Sequence, residues 1–416
     1  MLDTNSLFEQ ALNVKNPWFI EKIDFDEKKK RLDIFIDFKK GSTFHYEDSE
    51  LKISGEYKAY DTLDKTWRHL NFFEHEAHLH ARVPRVKIDD NKIRKIKVPW
   101  EGVNSGFTLL FEAFILQLAK HMPINVISKI VGESNYKIWG ILEKYVDATL
   151  ETNDYSELTA IGVDETSSRK GHNYISLFVD LNKKRTIFIA EGKDSGTLEQ
   201  FKDDLEAHNG SPEKIKDVSC DMSPAFIKGV NEHLPNAEIT FDKFHIMKII
   251  NKAVDEVRRE EQSTNPALKK SRYVFLKNQE NLTKTQKEKL AELTLSKTNL
   301  KSIRALHIRE SFQDIYASGN TAEFETLLKK WYFWATHSRL EPIKKAAKTI
   351  KNHWDGIVKW KDSQINNGIL EGLNSIVQAA KSKARGFSTL KYYKIVAYLV
   401  TADLDFSKIN KCYVPT

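Results

Sequence analysis

The chain has 416 residues, 40% of them hydrophobic and 30% charged, a balance that builds a sizeable core and argues against disorder. At roughly 150 residues per domain the length implies two to four folding units. Lysine and arginine outnumber acids 65 to 58, so charge permits a nucleic-acid partner without demanding one. Cys220 and Cys412 are too few for a disulfide framework or a four-thiolate zinc site, and they fit a reducing cytoplasm. The opening MLDTNSLFEQALNVKNPWF has neither a secretory pattern nor an apolar run of about 18 residues. No later segment supplies a membrane span, so neither secretion nor membrane insertion is expected.

Residues 21–38, EKIDFDEKKKRLDIFIDF, alternate apolar and polar positions on either side of a charged turn, which predicts a hairpin. A further extended stretch at His75–Val86 and a basic close at Lys92–Lys97 suggest a small β-rich domain over residues 1–100. From Phe107 the period becomes helical. Pro123 opens a second helix and Glu133-Ser134-Asn135 caps a third, so residues 105–152 read as a helix-turn-helix with Tyr136–Thr149 as the recognition helix. The competing reading makes Tyr136 and Trp139 packing residues of a helical linker.

Over 158–250 the strands TAIGVDETS, NYISLFVDL and RTIFIAEG precede the helix GTLEQFKDDLEAHNG. The strand IKDVSCDM, the helix SPAFIKGVNEHLP and the strand AEITFDKFHI follow. The succession β-β-β-α-β-α-β predicts a ribonuclease-H-like α/β core with a mixed sheet. Residues 251–365 read as an α-helical insertion containing the aromatic run Trp331 to Trp334. Residues 366–416 hold a last helix pair and the tail.

Asp164 ends the first core strand after Ala160–Val163, and Asp221 ends the fourth after Val218-Ser219-Cys220. These strands are neighbours in such a core, so the two acids approach and repel each other unless a cation intervenes. Hard oxygen ligands suit Mg²⁺ or Mn²⁺, and two ions about 4 Å apart can activate an attacking oxygen and stabilise a leaving one. The bland alternative is a pair of turn or cap residues. Glu165 points to the opposite face and is ranked a neighbour. The third ligand is expected from a helix. At 100° per residue from Glu371, Asn374, Gln378, Lys381 and Arg385 fall within about 80° of it, and Ile369, Leu373, Ile376, Val377 and Ala380 form the opposite, packing side. Glu371 would meet the ion, and Lys381 and Arg385 the DNA backbone, with Asn374 on the same DNA-facing surface and Tyr136 and Lys137 at the start of the recognition helix. His245, closing the fifth strand in Asp242-Lys243-Phe244-His245, could position a phosphate or be structural.

The segments TWRHLNFF (66–73), ARVPRV (81–86), GFTLLFE (106–112), GVDETS (162–167), DMSPAFIKGV (221–230), FDKFH (241–245) and ILEGLNSIVQAAKSKARGF (369–387) together resemble the ISL3 insertion-sequence transposases, within the DDE transposase and retroviral-integrase superfamily. The resemblance covers nearly the whole chain. It implies that Asp164, Asp221 and Glu371 are the catalytic triad, that the helical insertion separates the last two, that Asp242 and His245 form an accessory pair, and that residues 107–150 bind the element's terminal repeats. Many relatives carry an N-terminal zinc ribbon. Tyr46, Ser49, Ile88 and Asn91 stand at the corresponding positions, so no zinc is expected, and only His78 and His80 of the His75, His78, His80 group share a strand face.

The resulting expectation is a bacterial cytoplasmic or nucleoid enzyme that cleaves double-stranded DNA at element ends and joins the 3′-hydroxyl to target DNA, as a dimer or larger synapse. Trp331 and Trp334 would either stack on unpaired bases or form the insertion's core. The rivals are a catalytically dead DNA-binding derivative and a ribonuclease-H-like nuclease without strand transfer.

Overall fold

A computed structural model describes residues 3–48, 52–89, 92–103, 106–169, 173–295, 300–363 and 368–415. Residues 154–375 form one compact unit, and residues 1–153 with 376–416 form another. The expected zinc-ribbon positions Ser49 and Asn91 fall outside the described residues.

The chain begins with α1 (Thr4–Ala11), followed by β1 (Trp18–Asp26), β2 (Arg31–Phe38), β3 (Thr43–Asp48), β4 (Ile53–Arg68), β5 (Glu76–Asp89) and β6 (Lys92–Lys95). These strands make one mixed sheet in the order β1-β2-β5-β4-β3, with β6 beside β5 and β2–β5 the parallel pair. Alternation along β2 explains its core: Leu32, Ile34 and Ile36 are buried with Trp18, Trp67, Leu79 and Val83. Asp33, on the other face, takes Arg31 Nε at 2.7 Å and His80 Nε2 at 2.6 Å.

Three helices follow: α2 (Leu109–His121), α3 (Ile124–Val131) and α4 (Asn135–Leu150). Thr108 and Ser134 accept hydrogen bonds from the Phe111 and Lys137 amides and so cap α2 and α4. Between α3 and α4 the chain turns through Gly132 at φ +74°, a left-handed conformation that costs other residues about 1–2 kcal/mol.

The second unit opens with β7 (Ala160–Arg169), β8 (Asn173–Asp180) and β9 (Arg185–Glu191), then α5 (Gly196–Ala207), β10 (Asp217–Cys220), α6 (Pro224–His233) and β11 (Glu238–Phe241). Its sheet runs β11-β10-β7-β8-β9. Short links join the antiparallel β7, β8 and β9, whereas β10 lies parallel to β7 and β11, a pairing that needs the crossovers through α5 and α6. Val163, Phe178, Phe201, Val218 and Phe226 are buried in one cluster that continues into the insertion helices.

Those helices are α7 (Lys243–Gln262), α8 (Arg272–Leu276), α9 (Lys284–Leu295), α10 (Lys301–Ile315), α11 (Thr321–His337), α12 (Glu341–Asn352) and α13 (Trp354–Ser363). The edge of β11 is covered by α13, where a Cβ added at Gly356 would lie 2.9 Å from the Ile239 carbonyl oxygen. Lys243–His245, expected to close the fifth strand, instead form the first turn of α7 with Asp242 at its N-cap position. Asp242 is the last extended residue, and its side chain makes no capping hydrogen bond to α7.

The next helix, α14 (Gly368–Ala384), belongs to the second unit as far as Ser375. Its packing side agrees with the expected one at Ile369, Leu373 and Val377 and departs from it at Ile376. Leu370 and Val377 are the buried residues, whereas Ile376 is 45% exposed. The reason is local to β7: Gly162 lacks a side chain, and Leu370 fills that space among Ala160, Val179 and Leu181. In the first unit, α15 (Leu390–Thr401) packs on α2 and α4, with Tyr392 stacked on Trp139 at 4.0 Å. Buried Asn410 then donates to the Leu109 carbonyl at 2.8 Å and to the Tyr145 hydroxyl at 2.9 Å. Among the described residues no helix is long and apolar enough to cross a membrane.

Candidate active site at the ends of the parallel strands

The register of the parallel strands lines up three acids. Asp217, Val218 and Ser219 of β10 pair with Ala160, Ile161 and Gly162 of β7, and Cys220 pairs with Phe241 of β11. Carried past the last paired residues, the same offsets set Asp221 beside Asp164 and Asp242 beside Asp221. Equivalent positions on neighbouring parallel strands point to the same face and lie about 4.8 Å apart. Each acid directly follows an apolar strand residue, Val163, Cys220 or Phe241, so the buried part of each strand delivers a carboxylate to its C-terminal end. In α/β sheets that end is where ligands bind.

Hydrogen bonds hold the carboxylates in place. Asp164 Oδ1 accepts from the Glu165 amide at 2.8 Å, and Asp221 Oδ1 accepts from the Ser223 amide at 2.9 Å at the entry to α6. Asp221 thus fills a turn role and still presents its second oxygen. Burial, reinforced by the charge of Asp221, pushes Asp164 up to about 6, against the Glu165 amide, His245 and Asn374. The buried Cys220 thiol is driven up by burial and by the charges of Asp221 and Asp164. His245 is raised by its contact with Asp242 and by the charges of Asp164 and Asp221. The His245 Nδ1 to Asp242 Oδ2 distance is 3.3 Å, and both buried atoms lack a hydrogen-bond partner. Glu165 points away from this row, with Oε2 3.7 Å from Lys193 Nζ.

The helix α14 reaches the site through Asn374, whose amide donates to Asp164 Oδ2. Glu371 lies one turn earlier and is exposed. Side chains three apart on a helix have Cβ atoms about 5–6 Å from each other, so Glu371 starts one side-chain length from the aspartate row. Among the described residues no three acidic, histidine or cysteine side chains close around a single point. The donor chemistry nevertheless fits a hard divalent cation. Two carboxylates crowd each other, and the buried oxygens Asn374 Oδ1 and Asp242 Oδ2 have no hydrogen-bond partner.

In the other unit, Tyr136 at the start of α4 is 82% exposed, while Trp139 is buried against Tyr392. Lys137 is exposed and pairs with Glu133 at 2.8 Å. Lys381 sits 5.8 Å from the centre of the Tyr393 ring, and Arg385 is exposed. The contact of Asn374 with Asp164 and the place of Asp242 in the acidic row were not foreseen from the sequence. The recurrence of apolar residue then aspartate at three strand ends is the signal that could have shown the row.

Comparison with known proteins agrees with this architecture. A family model described as "Transposase", for the DDE domain of the ISL3 group, matches residues 161–397. A second, described as "Helix-turn-helix domain of transposase family ISL3", matches residues 96–146. The transposase for insertion sequence element IS1557 of Mycobacterium tuberculosis is 27% identical over 373 residues, covering 81% of this chain and 82% of that protein. The transposase for insertion sequence element IS1001 of Bordetella parapertussis is 24% identical over 347 residues, covering 81% and 84%.

Proposed function

The chain belongs to the ISL3 family of transposases, and from that premise we propose that it cleaves DNA at the ends of an insertion sequence and joins the freed 3′-hydroxyls to target DNA. The observation that carries the reading is the parallel register that brings Asp164 and Asp221 side by side, with Asn374 tying the Glu371 helix to Asp164. In this proposal the sheet and its helices form a ribonuclease-H-like core, and Asp164, Asp221 and Glu371 hold two divalent ions, Mg²⁺ or Mn²⁺. When bound, such ions activate the attacking oxygen and stabilise the leaving one.

The chain's own residues do the positioning. Asp164 and Asp221 are set by backbone hydrogen bonds, so their outward oxygens hold their direction without a ligand. Exposed Glu371 closes the set by a side-chain movement toward the row. Asp242 and His245 flank it as an accessory pair. Tyr136 and Lys137, with the three-helix module, engage the terminal inverted repeats, while Lys381 and Arg385 contact phosphates. Two ends must be cut together, which calls for a dimer or larger synapse on DNA.

The test uses labelled DNA carrying the element's ends, with Mg²⁺ or Mn²⁺ present. Asp164→Asn and Glu371→Gln are expected to bind the ends as wild type does and to lose cleavage. Metal-dependent cutting by either variant would remove the assignment, and cleavage by the wild type without joining would leave a nuclease.

A further inference from the structure

The β-sheet and the three-helix module of the first unit meet at one side chain. Arg68 closes β4 and is 4% exposed. Its guanidinium donates to the His69 carbonyl, to Asn71 Oδ1 and, at 3.2 Å, to the Ala77 carbonyl, all at one end of the sheet. The fourth bond leaves the sheet: Arg68 Nη2 donates at 3.3 Å to the carbonyl of Val131, the last residue of α3. A carbonyl in the last turn of a helix has no partner within that helix. Arg68 Nε lies 4.0 Å from Glu133 Oε1, in the turn that separates α3 from α4. The Arg68 backbone also holds the entry to α2, donating to the Gly106 carbonyl at 2.9 Å and accepting from the Thr108 amide at 3.0 Å. A second contact comes from Glu76 at the start of β5. A Cβ at Gly132 would lie 2.8 Å from Glu76 Oε1, so this carboxylate rests on the turn itself.

The turn sets the direction of α4. Glu133 passes the link on through its 2.8 Å pair with Lys137, beside Tyr136 in the first turn of that helix. At 100° per residue Glu143 and Asp147 fall within about 20° of Tyr136, so the outward face becomes acidic past its first turn and repels a phosphate backbone. Only the start of α4 is left to meet DNA, and its aim matters. We infer that Arg68 is a positioning residue for DNA reading, an inference that rests on the proposal that this module engages the terminal repeats. Being buried, Arg68 touches no DNA; it fixes the direction in which the first turn of α4 enters the groove of an element-end duplex. Arginine suits this task because a planar fork with five donors serves four acceptors on separate residues, whereas lysine offers three donors at one point. Burial lowers the Arg68 pKa, and Glu76 and Glu133, one from the sheet and one from the turn, oppose that.

The test compares binding of the full-length chain to a duplex carrying the element's end and to a random duplex of equal length, across a salt series. Arg68→Lys should lower the preference for the end about tenfold, roughly the loss of one base contact, with an unchanged slope of affinity against salt because no phosphate contact is removed. Arg385→Ala, at a proposed phosphate contact, should instead reduce that slope by about one and weaken both duplexes alike. An unchanged preference in Arg68→Lys would overturn the inference. A slope reduced as in Arg385→Ala would also overturn it, by making Arg68 a phosphate contact, as would an equal loss on both duplexes with a lowered melt, which would make it a packing residue alone. Should Arg68→Lys fail to fold, Asn71→Ala decides. It removes one acceptor at an exposed position and should cost about threefold in preference at the same slope, and no change would overturn the inference. A wild-type chain without preference for the end would bring down the terminal-repeat reading itself, whereas a wild-type preference that Arg68→Lys keeps brings down this inference alone.

Discussion

Gly162→Ala offers a sharp perturbation because it acts from beneath on α14, the helix that carries Glu371. The new methyl would lie 2.7 and 2.9 Å from the two terminal carbons of Leu370 and 3.0 Å from Leu181 Cδ2. Carbon pairs rest at about 3.5–4.0 Å, so Leu370 or its helix must retreat by roughly 0.8 Å. Leu370 is 1% exposed and has little room to move alone. Overpacking of this kind costs about 1–3 kcal/mol. The larger effect should be on chemistry, because Asn374 and Glu371 travel with Leu370, and a misplacement of about 1 Å can cost on the order of 10²-fold in rate. The assay is single-turnover cleavage of element ends beside a thermal melt. Leu370→Val in the Gly162→Ala background removes one methylene and should recover much of the rate. Wild-type cleavage and an unchanged melt for Gly162→Ala would show that Leu370 does not set the position of this helix.

Asn410→Ala removes the buried amide that donates to the Leu109 carbonyl and the Tyr145 hydroxyl, leaving that hydroxyl its bond to Glu112 at 2.7 Å. It should lower the stability of the three-helix module by about 1–3 kcal/mol, measured by amide exchange in α2 and α4. Burial first, and then Arg68, depresses His69 to about 4, so the folded chain keeps it neutral while the unfolded chain takes a proton near 6.5. Its contribution is therefore complete above about 6.5 and declines as pH falls toward 4, by about 3 kcal/mol in all. Amide exchange at the start of α2, where Thr108 meets the His69 ring at 2.8 Å, should accelerate over that window, and His69→Asn should flatten the response.

Local pattern made the elements legible. Alternation in TAIGVDETS, NYISLFVDL and RTIFIAEG corresponds to β7, β8 and β9, and the change of period after Phe107 corresponds to α2, with Ser134 capping α4. Pairing was harder to read because register is set by distant partners: only the observed offsets reveal that Asp242 joins the row of Asp164 and Asp221. Helical angles found Ile369, Leu373 and Val377 on the packing side of α14 but missed Leu370, because they describe one helix alone, whereas Leu370 is seated by a missing side chain at Gly162, more than 200 residues earlier. His245 was read as strand because Phe241 to Ile246 fits either state, and the helical spacing of buried Ile246, Ile250, Ala253 and Val254 lies further along the chain. Trp331 and Trp334 looked equivalent in sequence and lie on neighbouring positions of one helix face, yet Trp331 is buried against Phe312 and Trp334 is 43% exposed.

In the proposed mechanism Asp164, Asp221 and Glu371 converge on divalent cations. Anomalous scattering from Mn²⁺ in crystals of the chain bound to an element-end duplex measures this directly. Peaks within coordination distance of Asp164 and Asp221, with the Glu371 carboxylate turned in to meet them, are the predicted result. Manganese bound away from the row, or Glu371 still facing solvent in that complex, would contradict it.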